Sequence, residues 1–165
     1  MGETIMHKYL WGILLLGTLT FAQEQFPFVG INISHQTVEL EDETSNSTNT
    51  FALHTGKQSL RWRTTFFVDY SSDYRSIGAD FDYILLDTMF GTSLVRPYIG
   101  TGISYLYLEE TPKDHYGYQY GLRSGFIIYA GERFDVDLGY HYNYVKEIEG
   151  IDRTKGANLS LHYFY

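Results

Sequence analysis

At 165 residues the chain suits a single domain, and it carries 16 Tyr, 11 Phe and 16 Gly against 3 Pro and no Cys. The missing cysteine excludes a disulfide framework, a thiolate metal site and a lipid-modified N-terminal cysteine. A net charge of −8 argues against nucleic acid as a partner, since phosphate binding needs a basic face, and no apolar run reaches the roughly 18 residues of a spanning helix.

Met1 to Ala22 reads as a secretory signal, with residues 23–165 as one mature domain. Lys8 supplies the positive charge, Trp11 to Leu19 the apolar region, and Thr20-Phe21-Ala22 a small-x-small cleavage site before Gln23. Glu3 offsets Lys8, so Met6 would make a cleaner start. The bland alternative is an apolar first helix of a soluble fold.

The mature chain then reads as strands. Phe28 to Gln36 alternates Val29, Ile31 and Ile33 with Gly30, Asn32 and Ser34. The acidic, Ser/Thr/Asn-rich stretch from Glu39 to Thr50 reads as a solvated loop. A second strand, Thr50 to Thr55, sets Phe51 and Leu53 opposite Ala52 and His54, and Gly56-Lys57-Gln58 is expected to turn. The third strand, Leu60 to Tyr70, alternates most clearly: Leu60, Trp62, Thr64, Phe66, Val68 and Tyr70 against Arg61, Arg63, Thr65, Phe67 and Asp69. After a Ser-rich loop, Ala79 to Asp87 sets Phe81, Tyr83 and Leu85 against Asp80 and Asp82. Arg96 to Leu108 places Ile99, Thr101, Ile103, Tyr105 and Tyr107 opposite Gly100, Gly102 and Ser104. Tyr118 to Ile128, a turn at Ala130 to Arg133, and Phe134 to Tyr144 follow the same rule. A polar loop leads to the last strand, Gly156 to Tyr165, where Ala157, Leu159, Leu161, Tyr163 and Tyr165 alternate with Asn158, Ser160 and His162.

Eight such strands joined by short turns and longer polar loops predict an all-β fold, an eight-stranded antiparallel up-and-down transmembrane β-barrel preceded by a signal peptide. Volume decides which face is inside. A barrel of this size encloses little more than packed side chains, and the many Tyr, Phe, Trp and Leu of the apolar set cannot all fit. The polar set is rich in Gly30, Gly100, Gly102, Gly121, Gly125 and Gly139, small residues suited to converging walls. The apolar face therefore points outward, toward lipid. With the N-terminus on the periplasmic side, Tyr70, Phe81, Tyr107, Tyr118 and Tyr144 fall toward the loop end and Trp62, Phe126, Phe134 and Tyr165 toward the turn end, as two interfacial belts.

The signal, the eight strands, the PYIGTGISY segment, DVDLGYHYNY and the aromatic terminus together resemble the small OmpA-like/opacity-type outer-membrane β-barrel family. The resemblance covers the whole mature chain and implies location in the bacterial outer membrane, contact with its lipids and lipopolysaccharide, and a monomer. It also implies that the last strand, through Leu159, Leu161, Tyr163 and Tyr165, is an address for the barrel-insertion machinery. It is poor for function, because barrels of this shape include anchors, adhesins, evasion proteins and a few lipid enzymes.

On the polar face, Arg61, Arg63, Arg123, Asp69, Asp80, Asp82, Asp135, Asp137 and His141 must pair in a narrow lumen, and read as a salt-bridge network that plugs it. A selective proton or cation path is the functional alternative. Lipid A deacylases of this size use a His-x-Ser pair; the nearest match here, His141-Tyr142-Asn143, has no serine nucleophile, and His162 followed by aromatics is no better. No enzyme activity and no cofactor or metal is expected. Glu39, Glu41, Asp42 and Glu43 could hold calcium or bridge lipopolysaccharide through divalent ions, but lack EF-hand spacing and read as a solvated run. The expectation is an integral membrane protein of structural, adhesive or interaction type, with a partner met through the loops; a small-solute pore, a lipid-modifying enzyme and a soluble periplasmic lipid carrier are the rivals.

Overall fold

The computed structural model describes residues 24–40, 44–72, 74–85, 93–108, 115–148 and 150–165. The expected signal segment lies outside the described residues. Eight antiparallel strands follow one another around a closed barrel: β1 (Phe26–Leu40), β2 (Ser45–Gln58), β3 (Trp62–Tyr70), β4 (Tyr74–Ile84), β5 (Val95–Leu108), β6 (His115–Tyr129), β7 (Phe134–Lys146) and β8 (Ile151–Phe164). The last strand closes on the first, with Phe28 opposite Phe164 and Glu39 opposite Arg153. Every strand has two hydrogen-bonded neighbours, so the closed wall has no edge strand.

Alternation sorts the side chains as the period of two requires. Val29, Ile31, Ile33, Leu53, Phe66, Val68, Ile77, Ile99, Ile103, Leu122, Leu138 and Leu159 are exposed on the outer wall, whereas Asn32, Ser34, Thr65, Asp80, Asp82, Ser104, Asp135, Asp137 and Ser160 are buried inside. Small inner residues are a steric requirement: a Cβ at Gly100 or Gly102 would collide with the carboxylates of Asp82 and Asp80 on β4.

Several strand ends differ from the sequence expectation. Most of the stretch expected as a solvated loop from Glu39 to Thr50 is β-ladder, because β1 and β2 pair out to Glu39 opposite Ser45. Side chains join across that polar ladder, His35 Nδ1 to Asn49 Oδ1 at 2.8 Å and Thr37 Oγ1 to Ser47 Oγ at 3.4 Å. Polar composition does not break a strand whose backbone and side chains both find partners. The turn expected at Gly56-Lys57-Gln58 lies instead at Ser59 to Arg61. Ser59 pins it, donating its N–H to the Trp62 carbonyl at 2.7 Å and accepting the Trp62 N–H at Oγ at 3.1 Å. Turn chemistry at Ser59 thus outranks the glycine at position 56, whose backbone stays in the ladder opposite Phe28 and Thr65.

β4 starts at Tyr74, five residues before the expected Ala79, and the expected end at Asp87 lies outside the described residues. This moves Phe81 out of the loop-end belt. It pairs with Thr64, two residues from the Trp62–Tyr83 pair, and belongs to the turn end. The turn at Ala130 to Arg133 is where it was expected, with the Ala130 N–H donating to the Phe134 carbonyl at 2.9 Å. Its Gly131 has φ +107°, in the left-handed region that favours glycine.

Candidate functional site: the charged lumen

Arg63 on β3 is 1% exposed and organises the turn-end half of the lumen. Its Nε donates to Asp82 Oδ2 on β4 at 3.0 Å, and its Nη2 pairs with Asp137 Oδ2 across the lumen on β7. Tyr98 on β5 bridges the rest: its hydroxyl donates to Asp137 Oδ1 at 3.0 Å and accepts from Arg123 Nη2 at 3.3 Å. Both guanidinium groups lie against the Tyr98 ring, at 4.9 and 5.6 Å from its centre. Arg123 on β6 pairs with Asp80 and approaches Asp82 Oδ1 at 3.3 Å, an attraction without hydrogen-bond alignment. Two like charges so close persist because three carboxylates lie between and beside them.

Three further groups stand apart from this network. Asp135 Oδ1 accepts from His162 Nδ1 at 2.7 Å, and the other ring nitrogen of His162 meets His54 Nδ1 at 3.2 Å. The Phe28 ring packs on His162 at 4.7 Å. Asp69 accepts from Ser76 Oγ at 2.8 Å. His141 faces the lumen with its Nε2 unpartnered.

Of the nine luminal positions expected from sequence, the structure joins Arg63, Asp80, Asp82, Arg123 and Asp137 in one network. Asp69, Asp135 and His141 are luminal but separate from it. Arg61 is a correction: it is exposed in the β2–β3 turn, where its carbonyl accepts the Ile84 N–H at 2.7 Å. Strand parity does not apply to a residue outside the strand. Sequence reasoning missed Tyr98, His54, His162 and Phe28 as members. Tyr98 shares the parity of Gly100 and Gly102, so alternation could have placed it inside; its cross-lumen partners on β7 could not be read from alternation.

Each end of the lumen carries an apolar cluster. At the turn end Ile84, Tyr98 and Ile127 form a buried apolar cluster backed by Tyr129. At the loop end Tyr74, Leu106, Val145 and Ile148 form another, and the Tyr74 hydroxyl donates to Gln36. Between them lies a cavity of about 60 Å³, lined among others by Ser34, Asp69, Ser104, Gln119, His141 and Asn143. That volume holds a few waters, at roughly 10–15 Å³ each on this measure. Among the described residues, no three His, Asp or Glu side chains converge as a metal cluster.

Outside, at the loop end of β1 and β8, Glu39 pairs with Arg153 at 3.2 Å and with Lys155, and Arg153 Nη1 donates to the Tyr142 hydroxyl at 2.6 Å. Glu39 is thus part of a strand-borne ion cluster; Glu41, Asp42 and Glu43 lie outside the described residues. Leu159, Leu161 and Tyr163 face outward on β8 opposite Ile33, Ile31 and Val29, and Tyr165 is 70% exposed at the turn-end rim.

Solved structures that superpose on this fold include small outer-membrane barrels. Neisserial surface protein A superposes with a TM-score of 0.68 at 20% identity, covering 84% of this chain and 97% of that one. The N-terminal β-barrel domain of OprF from Pseudomonas aeruginosa gives 0.56 at 12% identity over 82% and 97% of the two chains. The attachment invasion locus protein Ail of Yersinia pestis gives 0.56 at 13% over 86% and 99%. No protein-family model and no curated protein sequence matches the chain.

Proposed function

We propose that the protein is an integral protein of the bacterial outer membrane, a monomeric barrel closed to solutes and without catalytic activity, whose role is structural, adhesive or interactive and is exercised by its loop end. The observation that carries this reading is the inverted polarity of the barrel: Leu122 is 66% exposed on the outside while Arg63, Asp82, Asp135 and Asp137 are sealed within. An apolar wall on all sides gains by facing hydrocarbon, where it needs no cover. The ion network and the two apolar clusters support a lumen closed to solutes. Ail's name associates that barrel with attachment, and the fold likeness lends the adhesive variant some support.

Membrane fractions washed with carbonate should retain the protein, and the purified barrel should migrate faster in detergent gels before boiling than after. In planar bilayers it should give no single-channel currents. Discrete conductance steps would replace this reading with a small-solute pore, and altered lipid A masses in a deletion strain would replace it with a lipid-modifying enzyme. The terminal strand is the proposed address for the barrel-insertion machinery. Removing Tyr165 forfeits only about 1–2 kcal/mol of burial, so the truncated chain should refold in detergent yet fail to accumulate in the outer membrane of cells. Normal membrane levels would end that assignment.

A further inference from the structure

β2 outruns one of its two neighbours. On the β1 side its ladder reaches Ser45, opposite Glu39, whereas on the β3 side it reaches only Phe51, opposite Tyr70. β3 goes no higher because the chain turns there: the Ser71 N–H donates to the Tyr74 carbonyl at 3.0 Å, and β4 begins. Among the described residues, no strand pairs with β2 on that side from Ser45 to Thr50. The stretch is an open edge about 20 Å long, at roughly 3.4 Å per residue.

The direction of its backbone groups follows from the ladder. In an antiparallel pair, successive residues aim their N–H and C=O at opposite neighbours. At one end of β2 the Leu40 N–H donates to the Thr44 carbonyl at 2.9 Å, and at the other the Ser59 N–H donates to the Trp62 carbonyl at 2.7 Å. Even-numbered residues of β2 therefore address β1 and odd-numbered ones address β3, with no register shift between. Above Phe51, the N–H and C=O of Ser45, Ser47 and Asn49 point at the open edge. Two of their side chains are drawn away from it, since Ser47 Oγ and Asn49 Oδ1 are bonded back to Thr37 and His35 on β1. The edge also lacks the usual guards against pairing, for Ser45 to Thr50 holds no lysine, proline or bulge. The outward row of β2 changes from Leu53 and Phe51 to Asn49, Ser47 and Ser45, so the edge stands above the apolar wall.

We infer that this edge is a docking site for an extended peptide segment of an extracellular partner protein, which adds a strand to β2 through main-chain hydrogen bonds. The assignment rests on the loop end being the interacting end of the barrel. The occupant is a peptide because N–H and C=O groups spaced in strand register complement another backbone. Ser45 to Thr50 offers no charge and no apolar side chain to recognise anything else. A second copy in the same membrane does not fit. Both barrels would stand upright with their β2 strands running toward the turn end. Tilted about 35–45° in opposite senses where they face, those strands would cross instead of pairing.

The test combines amide hydrogen exchange with peptide selection on the purified barrel in detergent micelles. The Ser47 and Asn49 amides should exchange at least about tenfold faster than those of Asn46, Thr48 and Thr50, which β1 protects. Slow exchange at Ser47 and Asn49 means that the edge is already covered, and overturns the site. A phage-displayed library of random heptapeptides is then selected on the barrel. Enriched peptides should slow exchange at Ser47 and Asn49. Methylating alternate peptide nitrogens should weaken them about tenfold, while the intervening nitrogens tolerate it. Ser47→Pro removes an N–H that β1 does not use, so it should keep the gel shift on boiling and weaken the same peptides about tenfold. Should Ser47→Pro fail to fold, the methylation pattern on the wild-type barrel decides. The site is overturned if no peptide is enriched, if the peptides bind without protecting Ser47, or if methylation acts without alternation. Edge protection that appears on raising the barrel concentration alone assigns the edge to a second copy and overturns the peptide assignment. Carbonate retention and the gel shift test the barrel itself, so the edge can fail while the outer-membrane reading stands.

Discussion

Toward the turn end, Arg63, Asp82, Asp137, Tyr98 and Arg123 share one web of ion pairs and hydrogen bonds packed on Ile84 and Ile127. Toward the loop end the lumen holds a chamber lined largely by hydroxyls and amides, with Asp69 beside it and Arg123 and Asp80 of the web also on its wall. Alternation places a polar residue inside in both halves. What differs is side-chain length: arginine and tyrosine reach across the lumen, whereas serine and asparagine stop near their own wall. A barrel lumen is filled by reach, and filling couples distant strands. The turn-end half should therefore carry the mechanical integrity of the closed barrel and the loop-end half should tolerate change.

The most direct way to break that contrast is Arg63→Ala. It strands Asp82 and Asp137 without their principal cation, and loss of one partner from a buried ion pair costs about 3–5 kcal/mol. Urea unfolding in detergent should register that loss; a change below about 1 kcal/mol, the size expected of an exposed pair, would place the integrity of the barrel elsewhere. The outer wall gives a reference for both halves. Leu122→Arg should cost about 2–4 kcal/mol in a bilayer, while Gln119→Glu, on the inner face of the same strand, should cost much less. Equal tolerance at the two positions would reverse the assignment of faces.

Tyr98→Phe sharpens the comparison within the turn-end half. It deletes the hydroxyl that donates to Asp137 and accepts from Arg123, and hydrogen bonds to charged groups contribute about 1.5–3 kcal/mol. A double-mutant cycle with Arg63 should show coupling, because both side chains meet Asp137. The smallest effect belongs to the loop-end half. Ser104→Ala should change stability by no more than about 0.5 kcal/mol, since its hydroxyl has no hydrogen-bond partner to lose. A loss comparable to that of Tyr98→Phe would erase the difference between the halves.

Much of the fold was legible because lipid and lumen impose opposite demands on successive residues. From Trp62 to Tyr70 or Gly156 to Tyr163 the alternation is strict enough to assign side chains to a face, and the burial found in β3 and β8 follows it. Strand ends were less legible. Past the apolar band both faces meet polar surroundings, alternation fades, and the β1–β2 ladder around Glu39 and Ser45 to Thr50 looks like loop composition although its strands pair. Arg61 was misplaced for a related reason: a turn set by Ser59 consumes it before the strand begins.

By itself the sequence determined the number of strands, the polarity of each wall and most of the charged residues that line the lumen, because a period of two is a local property of the backbone. The tertiary structure alone decided which of those charges meet. Arg63 and Asp137 lie on strands far apart around the sheet, and closure of the barrel brings them together across a diameter that no local pattern encodes. Asp82, by contrast, meets Arg63 as its register partner within the β3–β4 hairpin, whereas Asp69 lies at the other end of that hairpin opposite Ser76.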